Sequence, residues 1–465
     1  MHYVSTRGES PPIGFLDAVL AGLAPDGGLY VPEVWPLLSQ AEIAGFAGLP
    51  YAQVAARILG LFAGDSLSAE ELTDITSEAY AGFTHAAVTP LRELDPGLWL
   101  LELFHGPTLA FKDVAMQLLA RLYESALEAR QRTLTVVCAT SGDTGGAAVE
   151  ALRGRANIRL VVLFPDGKIS EVQRRFMTTA SDANVRCIAI DGSFDDCQAL
   201  VKGLFNAQGF PQSVDLSGVN SINWARIAAQ VVYYFTAAVA LGAPHRPVSF
   251  AVPSGNFGDG FAGYVAARMG LPIERIILAT NSNDILAKAV ETGRYARGAV
   301  TQTQSPAMDI QVASNFERLY FDATGRDGVE TGRAMRAFAD QGAIDIPPKA
   351  FARMRDLFVG AAVSEADTSR AILATLNGSG ELIDPHTAVG VAAALRVGPV
   401  RRTTPMVVLS TAHPAKFPEA VQAAAGVAPR MPPSAKGLAG KPERIDRLPA
   451  DLEAVKVYIR KFAHG

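Results

Sequence analysis

The sequence predicts an α/β protein built on open, largely parallel sheets, with a helical region ahead of them. Three observations carry this. After Pro90, short apolar runs alternate with helical patterns, the arrangement of a parallel sheet covered by helices on both faces. Several of these runs end in turns of Gly, Ser, Thr, Asn and Asp, where helices then begin. Capping-box patterns mark helix heads, as at Ser68 with Glu71 and Ser170 with Gln173.

In chain order, residues 1–90 read as a helical cap. Phe15, Ala18, Val19, Leu20 and Leu23 fit a short helix closed by the turn Pro25, Asp26, Gly27, Gly28. A second helix runs from Ser68 through Tyr80. Residues 98–103 form a short apolar run before FHGPTLAFKD (104–113), and residues 114–127 are amphipathic. Leu134–Ala139 is an apolar strand, followed by the turn 140–146 and a helix expected from about Ala147. Strands are expected at 159–164, 185–190, 248–252, 276–279 and 406–410. Residues 295–330 are turn-rich, helical patterns cover 331–377 and 385–396, and 428–450 read as surface segments before a terminal helix. The expected division is a cap (1–90), a core (91–427) with a smaller subdomain at roughly 113–215, and an extension (428–465).

A chain of 465 residues can bury a large core. With 49% hydrophobic residues, 19% charged residues and a net charge of −4, it gives no basis for broad electrostatic binding to nucleic acid. The 19 uncharged residues between Arg226 and Arg246 approach membrane-spanning length, but Gln230, Thr236, Gly242 and Pro244 interrupt them. They read as a buried core helix, with no membrane partner. Three cysteines without CxxC spacing support neither a disulfide framework nor a zinc site. No HExxH or other ligand spacing accompanies His105, His413 or Asp113, so no metal is expected. The opening MHYVSTRGES has neither the apolar core of a secretory signal nor a transit-peptide pattern, and a reducing, cytoplasmic compartment is the expectation.

The chemistry gathers in the polar turns, because ligands of open parallel sheets bind at the carboxyl ends of the strands. The chain has 10 lysines against 32 arginines, so Lys112 between Phe111 and Asp113 is a marked choice. A lysine can form a Schiff base and loses its proton more easily when half buried. The competing reading is a solvated lysine in the first turn of a helix. Gly255, Asn256, Phe257, Gly258, Asp259 and Gly260 have the composition of a phosphate cradle at a helix N-terminus. Gly258, Gly260 and Gly263 also spell GxGxxG, but the next strand ends without an acidic residue, which weighs against a nicotinamide oxidoreductase. Ser141, Asp143 and Thr144 could hold a carboxylate, or could be an ordinary capped turn.

Seven blocks together resemble the threonine synthase family in its longer, proteobacterial and fungal branch. They are FHGPTLAFKD (104–113), ATSGDTGGAA (139–148), FPDGKISEVQ (164–173), NSINWARI (220–227), PSGNFGDG (253–260), PAMDIQVASNFERL (306–319) and LSTAHPAKFP (409–418). GGLYVP (27–32) fits the same family. The resemblance implies a fold type II pyridoxal phosphate enzyme of the tryptophan synthase β group, with two core domains and a family-specific N-terminal domain. It implies Lys112 as the Schiff-base lysine, Gly255, Asn256, Phe257, Gly258 and Asp259 as the cofactor-phosphate loop, and Thr411 as the partner of the pyridine nitrogen. The reaction implied converts O-phospho-L-homoserine and water to L-threonine and phosphate. A phospho-lyase of the same family, yielding 2-oxobutyrate, shares these residues. Ser141, Asp143 and Thr144 are then candidates for the substrate carboxylate or the ring, and Lys168, Asn220 and Arg226 for the substrate phosphate. Many members of the wider fold group have Asn where this chain has Asp143. A monomer or a homodimer is compatible with the sequence.

Overall fold

Two parallel sheets carry the body of the protein in the computed structural model, which describes residues 1–464. The larger runs in the order Phe358–Ala362, Ile273–Thr280, Val248–Pro253, Met406–Ser410, Leu98–Glu102, Leu91–Asp95. Only the last pair is antiparallel. The smaller runs Asp446–Pro449, Val185–Asp191, Ile158–Pro165, Leu134–Ala139, Leu216–Ser217, all parallel. Its strands lie within the span expected for a smaller subdomain, apart from Leu216–Ser217 and a strand supplied by the C-terminal region.

The uncharged stretch after Arg226 is the helix Trp224–Ala240, with nearly every residue buried. It packs against Gly258–Arg268, Lys112–Arg130 and Tyr51–Ala63, which joins the two sheets and the N-terminal region around one core. Among the described residues no helix is long and apolar enough to cross a membrane.

The N-terminal region is less purely helical than its pattern predicts. Besides Phe15–Ala21, Gln40–Ala44, Tyr51–Ala63 and Ala69–Tyr80 it has a small antiparallel sheet, Ile13–Gly14, His2–Ser5, Tyr30–Pro32. Strands of two to four residues are too short for a period-two pattern. The region docks on the helix Phe316–Ala323, all of whose residues are buried. Asp322 accepts from Trp35 Nε1 at 3.0 Å and from Tyr264 Oη at 2.5 Å. Glu317 takes the Thr6 hydroxyl at 2.6 Å and the Arg7 guanidinium at 3.1 Å.

Three other expectations change. The helix after Leu134–Ala139 starts at Asp143, not near Ala147, because Gly145 and Gly146 lie inside it where they weaken the helical signal. Residues 428–445 do run over the surface, but Asp446–Pro449 pairs with Val185–Asp191 and Leu452–His464 packs on Phe194–Asn206. The strand Phe358–Ala362 falls in a stretch that read as helical. Its Gly360 looks like a strand breaker, yet a Cβ there would lie 2.4 Å from the Ala287 carbonyl oxygen, so glycine admits the helix Ile285–Thr292 against the strand. Gly360→Ala should therefore destabilise the protein by about 1–3 kcal/mol, read as a lower thermal midpoint; an unchanged midpoint would refute this packing.

Candidate active site

The loop from 103 to 111 is zipped to the chain beyond Met406–Ser410. Leu103 N–H donates to Ser410 O at 2.9 Å, Phe111 N–H to Thr411 O at 2.8 Å, and His413 N–H to Leu109 O at 3.0 Å. This brings Thr411 beside the first turn of Lys112–Arg130. Asp113 anchors the turn from below: its buried carboxylate accepts Thr108 N–H at 2.7 Å and Thr108 Oγ1 at 2.6 Å. Burial pushes the Asp113 carboxyl up to about 6 against these bonds. The histidines serve the loops. His105 Nε2 meets Glu102 at 2.7 Å, and His413 Nδ1 accepts the Ala415 N–H at 3.1 Å.

Lys112 does not face water; its side chain is 12% exposed. Its Nζ lies 3.5 Å from Asp143 Oδ2 at the start of the helix Asp143–Leu152. Burial lowers the Lys112 ammonium below the usual lysine range, and the Asp143 charge opposes that. Gly142 gives Asp143 its approach: it sits at φ +133°, and a Cβ there would meet the Gln173 side chain at 2.6 Å. Asp143 Oδ1 accepts Gln173 Nε2 at 3.1 Å and Lys416 Nζ at 2.8 Å. Burial alone would raise the Asp143 carboxyl, but Lys416 and then Lys112 outweigh it and hold it well below the usual carboxylate range.

The glycine loop follows Val248–Pro253. The helix Gly258–Arg268 has no side-chain cap, and Phe257 ahead of it adopts φ +64°. Among the described residues no protein acceptor takes the N–H groups of Gly255, Asn256, Phe257 or Gly258. Open N–H groups at a helix start suit an anion. A Cβ on Gly255 would lie 3.0 Å from Ala307 O and 3.1 Å from Met308 Cα, so the 306–308 segment closes over the loop. Asn256 is clamped through its carbonyl by Asn315 N–H and Nδ2, both at 3.1 Å. The Asp259 carboxylate is engaged by its own loop: its Oδ1 accepts Ser254 Oγ at 2.5 Å and Gly260 N–H at 2.8 Å. Burial pushes it up to about 6.

Of the remaining candidates, Arg226 is buried with its Nη1 on Val219 O at 2.9 Å, and its Nε has no partner. Burial pushes this guanidinium down to about 10, with no carboxylate among its hydrogen-bond partners. Ser141 is exposed and Thr144 half-buried on the turn beside Asp143. Lys168 is exposed and donates to Gly192 O at 3.0 Å, and Asn220 is exposed at the approach to Trp224–Ala240. The structure thus gathers Lys112, Asp143 and Thr411, while Lys168 is engaged by the loop that follows Val185–Asp191. Two members of the cluster are absent from the sequence expectations. Lys416 could have been flagged by the scarcity that singled out Lys112. Gln173 reads as half of a capping box; Ser170 does cap its N–H at 3.2 Å, but its amide reaches Asp143. Among the described residues no cluster of His, Cys, Asp or Glu could hold a metal ion.

Comparison with known proteins finds likeness along the whole chain. Family models match for "Threonine synthase N terminus" at residues 2–80, "Pyridoxal-phosphate dependent enzyme" at 83–411 and "Threonine synthase, C-terminal" at 387–459. Threonine synthase of Pseudomonas aeruginosa is 49% identical over 468 residues, covering 100% of this chain and 99% of that one. The crystal structure of pyridoxal phosphate-bound threonine synthase from Brucella melitensis superposes with a TM-score of 0.97 at 51% identity, each chain covered completely. The yeast threonine synthase structure gives 0.93 at 37% identity, covering 100% of this chain and 99% of that one. From its N-terminal region to its last helix, this chain belongs to the threonine synthase family of pyridoxal phosphate-dependent enzymes.

Proposed function

We propose that this protein converts O-phospho-L-homoserine and water to L-threonine and phosphate, and that Lys112 is its cofactor-binding and catalytic lysine. One observation carries the assignment of Lys112: a buried amine stands where the 140–144 turn, the loop after Leu98–Glu102 and Thr411 meet, with 3.5 Å to its nearest carboxylate oxygen.

The residues present fit pyridoxal phosphate. The open N–H groups from Gly255 to Gly258 would take its phosphate, the Thr411 hydroxyl its ring nitrogen, and Lys112 its aldehyde carbon. Asp259 contributes by fixing the loop through Ser254 rather than by touching the phosphate. When bound, the cofactor supplies a conjugated ring that takes up the electron pair left at the substrate Cα.

With the substrate amine in its place, Lys112 would present a free amine to the substrate. It would take the Cα proton and carry the Cβ proton that must move before phosphate leaves Cγ; Cγ would then regain a proton and water would add at Cβ to complete threonine. A hydroxyl at the ring nitrogen, unlike a carboxylate, does not enforce protonation there, which suits elimination with charge departing on phosphate. Arg226 offers an uncompensated guanidinium and an unpartnered Nε, the donor set that a phosphate dianion needs. Ser141 and Thr144 would hold the substrate carboxylate at the helix start, with Asn220 a further phosphate donor; Lys168 would need to leave Gly192 to join them.

In the proposed division into a cap (1–90), a catalytic core (91–427) and an extension (428–465), the first boundary lies near the junction of family models between residues 80 and 83, whereas the C-terminal model begins at residue 387, within the proposed core. Free, buried Cys138, Cys187 and Cys197 support a reducing cytoplasmic setting. The partner is the small-molecule substrate, and size-exclusion chromatography will distinguish monomer from homodimer.

Incubation with phosphohomoserine should release phosphate and threonine in equal amounts; 2-oxobutyrate in place of threonine would mark the phospho-lyase instead. Lys112→Ala should lose the visible band of lysine-bound cofactor and slow turnover by at least about 10²–10⁴-fold. Retention of both would end the assignment. Arg226→Met should keep the visible band while raising KM for phosphohomoserine by about one to two orders of magnitude, as expected for a lost charge-assisted bond; an unchanged KM would remove Arg226 from the phosphate site.

A further inference from the structure

Lys416 follows the strand Met406–Ser410 and is 1% exposed. A buried ammonium persists only when it is paired and hydrogen-bonded. Lys416 has both supports: Asp143 Oδ1 at 2.8 Å and Thr108 O at 2.8 Å, with the Phe176 ring 5.3 Å away. Asp143 Oδ1 also accepts Gln173 Nε2, which leaves only Oδ2 toward Lys112 at the longer distance of 3.5 Å. Lys112 therefore faces a carboxylate whose charge is already compensated.

We propose that Lys416 is a positioning residue for Lys112: by occupying Asp143 it withholds a full counter-ion from Lys112 and favours loss of that amine's extra proton. The proposal rests on Lys112 being the cofactor-binding lysine. It also gives Asp143 a reason to be tolerated beside a reactive amine. Unpaired, the same carboxylate would hold Lys112 as an ammonium, which has no lone pair with which to attack a carbonyl carbon.

The groups facing Lys112 are Asp143, Lys416, Arg226 from Trp224–Ala240, Asp259 from Gly258–Arg268 and Cys138 from Leu134–Ala139. Burial lowers the Lys112 ammonium most, Asp143 opposes, and Lys416 and Arg226 lower it further. Removing Lys416 deletes a repelling cation and releases Asp143 to Lys112. Both changes raise the pH at which Lys112 deprotonates and reduce the free amine below that pH.

Competitive acetylation with acetic anhydride across pH, read on the Lys112 peptide by mass spectrometry, measures that midpoint in the full-length chain after cofactor removal. Lys416→Met should raise it by one pH unit or more, which is tenfold less free amine at a given pH below it. Lys416→Arg should restore it to within a few tenths of a unit. In an Asp143→Asn background the effect of Lys416→Met should fall to less than half. No shift in Lys416→Met, or the same shift with and without Asp143, would overturn the proposal. Lys416→Gln, which keeps a donor toward Thr108, replaces Lys416→Met if circular dichroism shows that variant unfolded. These midpoints are read without cofactor or turnover, so they stand apart from the loss of the visible band in Lys112→Ala, which tests the functional reading itself.

Discussion

A single buried carboxylate, Asp143, ties the two sheets together at the point where chemistry is possible. It belongs to the smaller sheet's first turn, and the two lysines that reach it follow strands of the larger sheet. Burying charges is expensive unless each finds a partner of opposite sign. Here the pairing can be satisfied only when the two sheets stand in one relation to each other. Arg226 lies close enough to act on Lys112 and has no carboxylate among its hydrogen-bond partners. Its guanidinium is a buried cation with no carboxylate bonded to it, which suits an anionic ligand.

The glycine loop presents open backbone N–H groups rather than side chains, and its shape is held from behind. Asn315 grips Asn256, and Arg318 grips Asn315 through Oδ1 at 2.5 Å. The same Arg318 donates to Tyr30 O at 2.9 Å and to Ile222 O at 2.6 Å. One guanidinium therefore links the N-terminal region, the approach to Arg226 and the glycine loop. This ties the N-terminal region to the core in physical terms: among the described residues its Tyr30 carbonyl is the one acceptor for Nε of the buried Arg318, at 3.1 Å.

Much of this was legible in the residues. Apolar strands such as Leu134–Ala139 announce themselves, and polar turns at their ends mark the crevice. The scarcity of lysine pointed to Lys112, and the glycines of 255–260 to an anion. What stayed hidden depends on contacts between distant segments. Gly360 reads as a strand breaker until Ala287 is seen against it. Gln173 reads as a cap until Gly142 lets it pass to Asp143. Lys416 lies 304 positions from Lys112, and no local pattern states that they share a carboxylate. Asp143 was visible in its turn, but nothing local to it states that Lys416 pairs with it.

The strand Asp446–Pro449 closes an edge that would otherwise stay open. Its partner Val185–Asp191 is made long before it in the chain, so during synthesis the smaller sheet presents an unpaired row of N–H and C=O groups while most of the core is being assembled. Exposed edges recruit other chains. Shortening the protein at its C-terminal end would therefore cost more than a surface appendage, because it would uncover the edge of Val185–Asp191 as a template for aggregation. The proline at position 449 and the charged Asp446 and Arg447 then form a blunt outer margin that discourages the next strand from joining.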